Sequence, residues 1–159
     1  MKIKLTPEMS YIIGLWKLRR TKEGIGIEGN RFLREAFIKA VLDAKLTDTK
    51  KLQIEGNKVF FYHTAYRKFF QEVLKEEDER FRYKNDYAMA FFAGLFDSKG
   101  GYSKDKKFVY IVGADKKDEM AALRLGFRAK LFKKQLMIAD TKVFLAFISK
   151  FRKVKLPDE

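Results

Sequence analysis

The sequence contains no cysteine and a single histidine, His63. The first absence excludes disulfide frameworks, thiolate metal sites and cysteine nucleophiles. The second leaves no ligand set for zinc, which draws on several Cys or His side chains, so His63, between a strand and a helix, reads as a packing or capping residue. Long apolar runs are also missing. None approaches the roughly 20 residues that span a bilayer, and the opening MKIKLTPEMS has neither the apolar core nor the small-residue cleavage site of a secretory signal. These absences point to a cytoplasmic chain with no membrane partner. GIGIEG (24–29) has its glycines in the wrong frame to cradle a dinucleotide and reads as strand alternation.

What is present is a chain of 159 residues, 47% hydrophobic, enough for one domain or two small fused halves. Its net charge of +14 calls for a polyanionic partner. The charge is lopsided: residues 1–79 carry 16 basic and 12 acidic side chains, and residues 80–159 carry 19 and 9. Abundant Lys and Glu with three Asn and three Gln is a thermophile-like composition. That explains much of the lysine but not the imbalance, because ion-pair networks mix signs.

The chain is written twice. MSYIIGLWKLRR (9–20) and YAMAFFAGLFDSKGG (87–101) both carry Gly-Leu-aromatic inside an apolar helix, Gly14 and Gly94 being 80 positions apart. A glycine-bearing strand region follows each, TKEGIGIEGN (21–30) and the fuller hairpin GYSKDKKFVYIVGAD (101–115). Amphipathic helices come next, 31–46 and 116–131, both ending in Ala-Lys-Leu. Hairpins at 51–63, turning at Gly56-Asn57, and 130–138, turning near Lys133-Lys134, lead to closing helices at 64–77 and 141–154. The first half is one strand short. The fold class is therefore α+β, a pseudo-two-fold particle of two repeats, 1–79 and 80–159, joined by a solvated, charge-dense linker at about 75–86.

Glycine in a helix costs about 1 kcal/mol relative to alanine, so a repeated one needs a reason. Ser10 and Gly14 stand one turn apart on one helix face, as do Ala90 and Gly94 on the other. Faces of this kind allow two helices to meet nearly backbone to backbone, so these four residues are expected to form the joint between the halves.

FFAGLFDSKGGY resembles the motif of the LAGLIDADG homing endonucleases over Ala93 to Asp97 and Gly100-Gly101, and YIIGLWKLRR resembles the more divergent first motif of the single-chain, two-repeat members. The resemblance implies an αββαββα repeat with antiparallel sheets forming a saddle over DNA. It also implies that acids at the tips of the motif helices bind divalent metal. Those positions, five residues after each motif glycine, hold Arg19 and Lys99 here. A cation cannot ligate Mg²⁺, which takes oxygen ligands, but it can pair with a phosphate. The expectation is a phosphate clamp with no catalytic acid, no metal and no cofactor. Mg²⁺ returns only if an active endonuclease has relocated its ligands, for which Glu23 and Asp105 are the nearby acids. Asp97 is expected to hydrogen-bond at the helix end.

Strand alternation adds a basic stripe. Lys104 and Lys106 are expected to share a face with Phe108 and Tyr110, with Lys107 on the other face. Lys130, Lys133 and Lys134 are expected at a hairpin tip, and Lys22, Arg31, Lys51 and Lys58 are the sparser contribution of the first half. The sequence thus describes a monomer that binds double-stranded DNA without cutting it. An intron-RNA-binding protein of the maturase type is the alternative for the same basic saddle.

Overall fold

A hydroxyl and a proline start the first helix. Thr6 accepts a hydrogen bond from the amide of Met9, and Pro7 follows at a position where its missing N–H costs nothing. In the computed structural model, which describes residues 2–156, this helix, α1 (Pro7–Arg19), is buried from Met9 to Trp16. It is followed by β1 (Ile25–Glu28), α2 (Arg31–Asp43), β2 (Gln53–Glu55), β3 (Lys58–Phe61) and α3 (Thr64–Lys75). The His63 ring caps α3, Nδ1 accepting from the Tyr66 amide at 3.2 Å. Then come α4 (Glu77–Arg80), α5 (Asp86–Lys99), β4 (Gly100–Tyr102), β5 (Val109–Val112), α6 (Lys116–Arg124), β6 (Ala129–Phe132), β7 (Gln135–Ile138) and α7 (Thr141–Ile148).

The strands form two antiparallel sheets, ordered β1-β3-β2 and β4-β5-β7-β6. Their shared order sets β1, β3 and β2 beside β5, β7 and β6. The strand missing from the first sheet survives as one bridge, Arg20 to Ile27. The duplicated α+β architecture read from the sequence is present. No helix among the described residues is long and apolar enough to cross a membrane.

Packing between α1 and α5 joins the halves. A Cβ on Gly14 would overlap the Phe91 carbonyl oxygen and lie 2.9 Å from the Leu95 nitrogen and 3.0 Å from the Gly94 Cα. A Cβ on Gly94 meets the mirror set: the Tyr11 carbonyl, Leu15 nitrogen at 2.9 Å and Gly14 Cα at 3.0 Å. Ser10 and Ala90 are fully buried on the same helices. The small faces remove the bulk that would otherwise hold two backbones apart, and the remaining side chains enter one continuous apolar core.

The amphipathic helix expected over 116–131 stops at Arg124, and Ala129–Phe132 is a strand. Three further local expectations change. The run at 75–86 is not a solvated connector, because Glu77 and Phe81 are fully buried and Phe81 stacks on Phe91 at 4.3 Å between ring centroids. Charge density hid two inward-facing residues. The last helix stops at Ile148, and 152–156 runs on without helical structure. The third concerns the lysines of the second sheet and is described with the site.

Two buried charge clusters fasten the helix pair at equivalent points, since Lys17 and Asp97 are also 80 positions apart. The Lys17 ammonium donates to Glu77 at 2.6 Å, Asp118 at 2.9 Å and Asp115 at 3.0 Å. Asp115 and Asp118 are already fixed by their capping box at the start of α6. On the other side Asp97 accepts from the Tyr11 hydroxyl at 2.6 Å and from the backbone amides of Lys153 at 2.7 Å and Val154 at 3.2 Å. Arg152 lies 3.5 Å away. Burial pushes the Asp97 carboxyl upward, against the pull of these donors.

Candidate nucleic-acid interface

The C-terminal ends of α1 and α5 lie together, and each ends in a cation, where the helix dipole favours one. Arg19 is less free than the sequence suggests. Its Nε donates to the Ser98 carbonyl at 2.6 Å and a terminal nitrogen donates to the Glu28 carbonyl at 3.2 Å. It thus caps the last turn of the opposite helix and ties it to β1. Burial lowers its pKa from the ordinary arginine value. Neighbouring Arg20 packs its guanidinium 3.8 Å from the Trp16 ring centroid. Lys99 is half-buried and has no ion-pair partner among the described residues.

Arg19, Arg20 and Lys99 line one cavity of about 630 Å³ with Glu28 and the amides of Asn30 and Asn57. A divalent-metal site does not fit here. Mg²⁺ takes carboxylate, phosphate and water oxygens, yet among the described residues the only carboxylate lining the cavity is Glu28, beside three cations. Asp97 is committed to Tyr11 and the C-terminal segment. The acidic trio Glu77, Asp115 and Asp118, whose ligand atoms lie within 4.8 Å of one another, already holds the Lys17 ammonium. Asp105 is exposed on a loop, bound to Ser103 at 2.7 Å, and Glu23 pairs with Lys58. The structure brings no two of these acids together at the helix tips.

The sheets present their outer faces beside these tips. On the second sheet, hydrogen-bond register aligns Gly101, Tyr110, Met137 and Lys130 in one row and Val112, Gln135 and Phe132 in the next. The Tyr110 ring reaches across the sheet, its Cζ 2.6 Å from where a Gly101 Cβ would stand. On the first sheet the rows are Gly26, Phe60, Gln53 and Glu28, Lys58, Glu55.

Several of the basic residues sit differently from the expectation. Lys104, Lys106 and Lys107 occupy the loop between β4 and β5, so they share no strand face with Phe108 or Tyr110. The Ser103 hydroxyl and Asp105 carboxylate bend that loop by accepting from Phe108 and Lys107 amides, which ends strand pairing at Tyr102. Lys130 lies within β6 rather than at its tip. Lys133 and Lys134 form the β6–β7 turn. Lys22 and Lys51 are exposed in loops, and Lys58 in β3 lies 3.7 Å from Glu23, between the cross-strand residues Glu28 and Glu55.

Lys133 and Lys134 have φ of 50° and 61°, and Lys106 has 58°. This left-handed region suits Asn-Gly at a two-residue hairpin turn far better than lysine. Replacing Lys133-Lys134 by Asn-Gly should therefore stabilise the chain by about 1 kcal/mol, the lower end of the cost of holding an L-residue in this region; thermal melts of the variant check it.

The sequence did not reveal the tie from Arg19 to Ser98, the cage around Lys17, or the exposed apolar side chains of the second sheet. A signal for the cage existed: Asp115-x-x-Asp118 is a capping pattern, and Lys17 is a cation inside an otherwise apolar helix.

Solved structures share this fold. A complex of an I-DmoI variant with its target DNA and magnesium matches with a TM-score of 0.67 at 14% identity, covering 90% of this chain and 96% of that one. I-DmoI is a homing endonuclease, and its complex with DNA and manganese gives 0.60 at 13% over 94% and 98% of the two chains. The N-terminal LAGLIDADG domain of DUF199/WhiA gives 0.64 at 13% over 99% and 90%. No family model matches the sequence, and no curated protein does.

Proposed function

From the LAGLIDADG fold, we propose that this chain binds double-stranded DNA across its sheets and does not cut it. The observation that carries the reading is the pair of cations, Arg19 and Lys99, at the adjoining ends of the axial helices. Hydrolysis of a phosphodiester by divalent ions needs carboxylate ligands placed to activate water and hold the leaving oxygen. These residue types do the reverse: they repel such ions and attract the phosphate itself. Arg19 is already bonded to two carbonyls, so it positions the tip. Lys99 and Arg20, beside the same cavity, make the phosphate contact. The DNA complexes of I-DmoI, which share the fold, support the choice of duplex DNA as partner.

Binding of a mixed-sequence duplex should weaken steeply as salt rises, because each phosphate contact releases about 0.9 counterions. Lys99→Ala should reduce the magnitude of that salt slope by about one and leave the melting temperature unchanged, in buffer without divalent metal. Unchanged affinity in this variant would remove Lys99 from the interface. Incubation of duplex DNA with the wild type and Mg²⁺ or Mn²⁺ should leave it intact; site-specific nicks would overturn the non-cleaving half of the proposal.

A further inference from the structure

The two sheets are not equivalent surfaces. The hairpin regions of the second, residues 99–112 and 128–138, carry eight cations against one carboxylate. The matching regions of the first, 19–28 and 51–61, carry five cations against three acids. Two of those three acids, Glu28 and Glu55, flank Lys58 across the strands of the outer face, and the third, Glu23, pairs with it. The first sheet therefore neutralises its own lysine where a phosphate contact would need it free.

The outer face of the second sheet differs in a further respect. Its strand residues Gly101, Tyr110, Val112, Lys130, Phe132, Gln135 and Met137 include no acid. Val112 is 45% exposed and Phe132 56% exposed; the first sheet also exposes Ile54 and Tyr62, but there with Glu28 and Glu55 alongside. An apolar patch on a water-facing sheet calls for an apolar partner, and the lysines around it call for phosphate. In duplex DNA the major groove offers both: phosphates at its edges, and on its floor the C5-methyl of thymine, the one apolar group among the base edges. A sheet can enter that groove.

We propose that the chain holds DNA unequally. The second sheet grips one half-site, reading thymine methyls with Tyr110, Val112, Phe132 and Met137, with lysines at 104, 106, 107, 133 and 134 on the flanking phosphates. The first sheet adds little charge contact and little sequence reading. This inference rests on the duplex-binding proposal above and specifies how the same saddle works.

Selection of a 24-base-pair randomised duplex pool on the full chain tests it. The expected product has one thymine-rich half and one degenerate half. Replacing thymine by deoxyuridine in the rich half should weaken binding by about fourfold per methyl contacted, the worth of one buried carbon group; the same change in the other half should do nothing. Alanine at Lys104, Lys106, Lys107, Lys133 and Lys134 together should reduce the magnitude of the salt slope by about three or more. Alanine at Lys22, Lys51 and Lys58 should change it by less than about one. Equal information in both halves, no enrichment despite salt-dependent binding, or equal slope changes for the two variants would overturn unequal holding and leave duplex binding standing. Absence of salt-dependent duplex binding by the wild type would remove both.

Discussion

Gly14→Ala and Gly94→Ala should each lower the melting temperature by about 6–12 °C. The added methyl meets main-chain atoms of the facing helix: the Phe91 carbonyl in one case and the Tyr11 carbonyl in the other. A flexible side chain could swing away, but these carbonyls are held in helical hydrogen bonds. The helices must separate, which opens gaps along a fully buried face. Overpacking a filled core costs about 3 kcal/mol at the upper end of its usual range, and about 2–4 °C is lost per kcal/mol in a chain of this size. The double variant should cost less than the sum of the singles, because helices already parted by one methyl have room for the second. Thermal melts of the three variants measure this. Strict additivity would mean that the two glycines act independently, contrary to their shared contact.

Lys17→Met should cost about 3–5 kcal/mol near neutral pH, the usual penalty for removing one partner of a buried ion cluster. Glu77 and Asp118 are fully buried and would be left with no cation nearby. In the native chain, burial by itself would depress the Lys17 pKa, but Asp118 and then Glu77 outweigh it and hold the ammonium above the ordinary lysine value. Burial raises the Glu77 carboxyl, and the neighbouring Asp118 raises it further. Lys17 is the group that opposes this rise, so its removal lifts Glu77 higher. A carboxyl whose folded pKa lies above its unfolded value contributes stability below the unfolded value and loses it as pH climbs through the folded one. The deficit of Lys17→Met should therefore be small in acid and grow only as the pH climbs past the native chain's own raised Glu77 value, since below it both proteins carry the protonated carboxyl. Urea titrations at a series of pH values give the curve. Adding Glu77→Gln and Asp118→Asn should recover part of the loss at neutral pH and flatten the pH dependence, since neutral amides need no counter-ion.

The axial helices were legible because their signal is local and repeated: small residues four apart in each helix, and the two helices 80 residues apart. The Gly56-Asn57 turn was legible for the same reason. Lys133-Lys134 gave a fainter signal, since the turn there runs against residue preference. What could not be read was which charges are spent. Arg19 and Lys99 look alike in sequence, yet Arg19 is bonded to carbonyls 79 and 9 positions away, while Lys99 has no ion pair among the described residues. Lys58 likewise looks available until strand register places Glu28 and Glu55 beside it. Burial of Glu77 depends on a partner 60 positions earlier in the chain. Periodicity reports faces, whereas the fate of a charge depends on who stands opposite.

The reversed signs at Lys17 and Asp97 make each repeat a misfit for a copy of itself. Two first repeats brought face to face would present a pair of lysines without Asp115 and Asp118, which belong to the second. Two second repeats would present a pair of aspartates with Phe91 at the position of the Tyr11 hydroxyl. Self-pairing is thus penalised from both sides, and joining one repeat of each kind gives both Lys17 and Asp97 their partners.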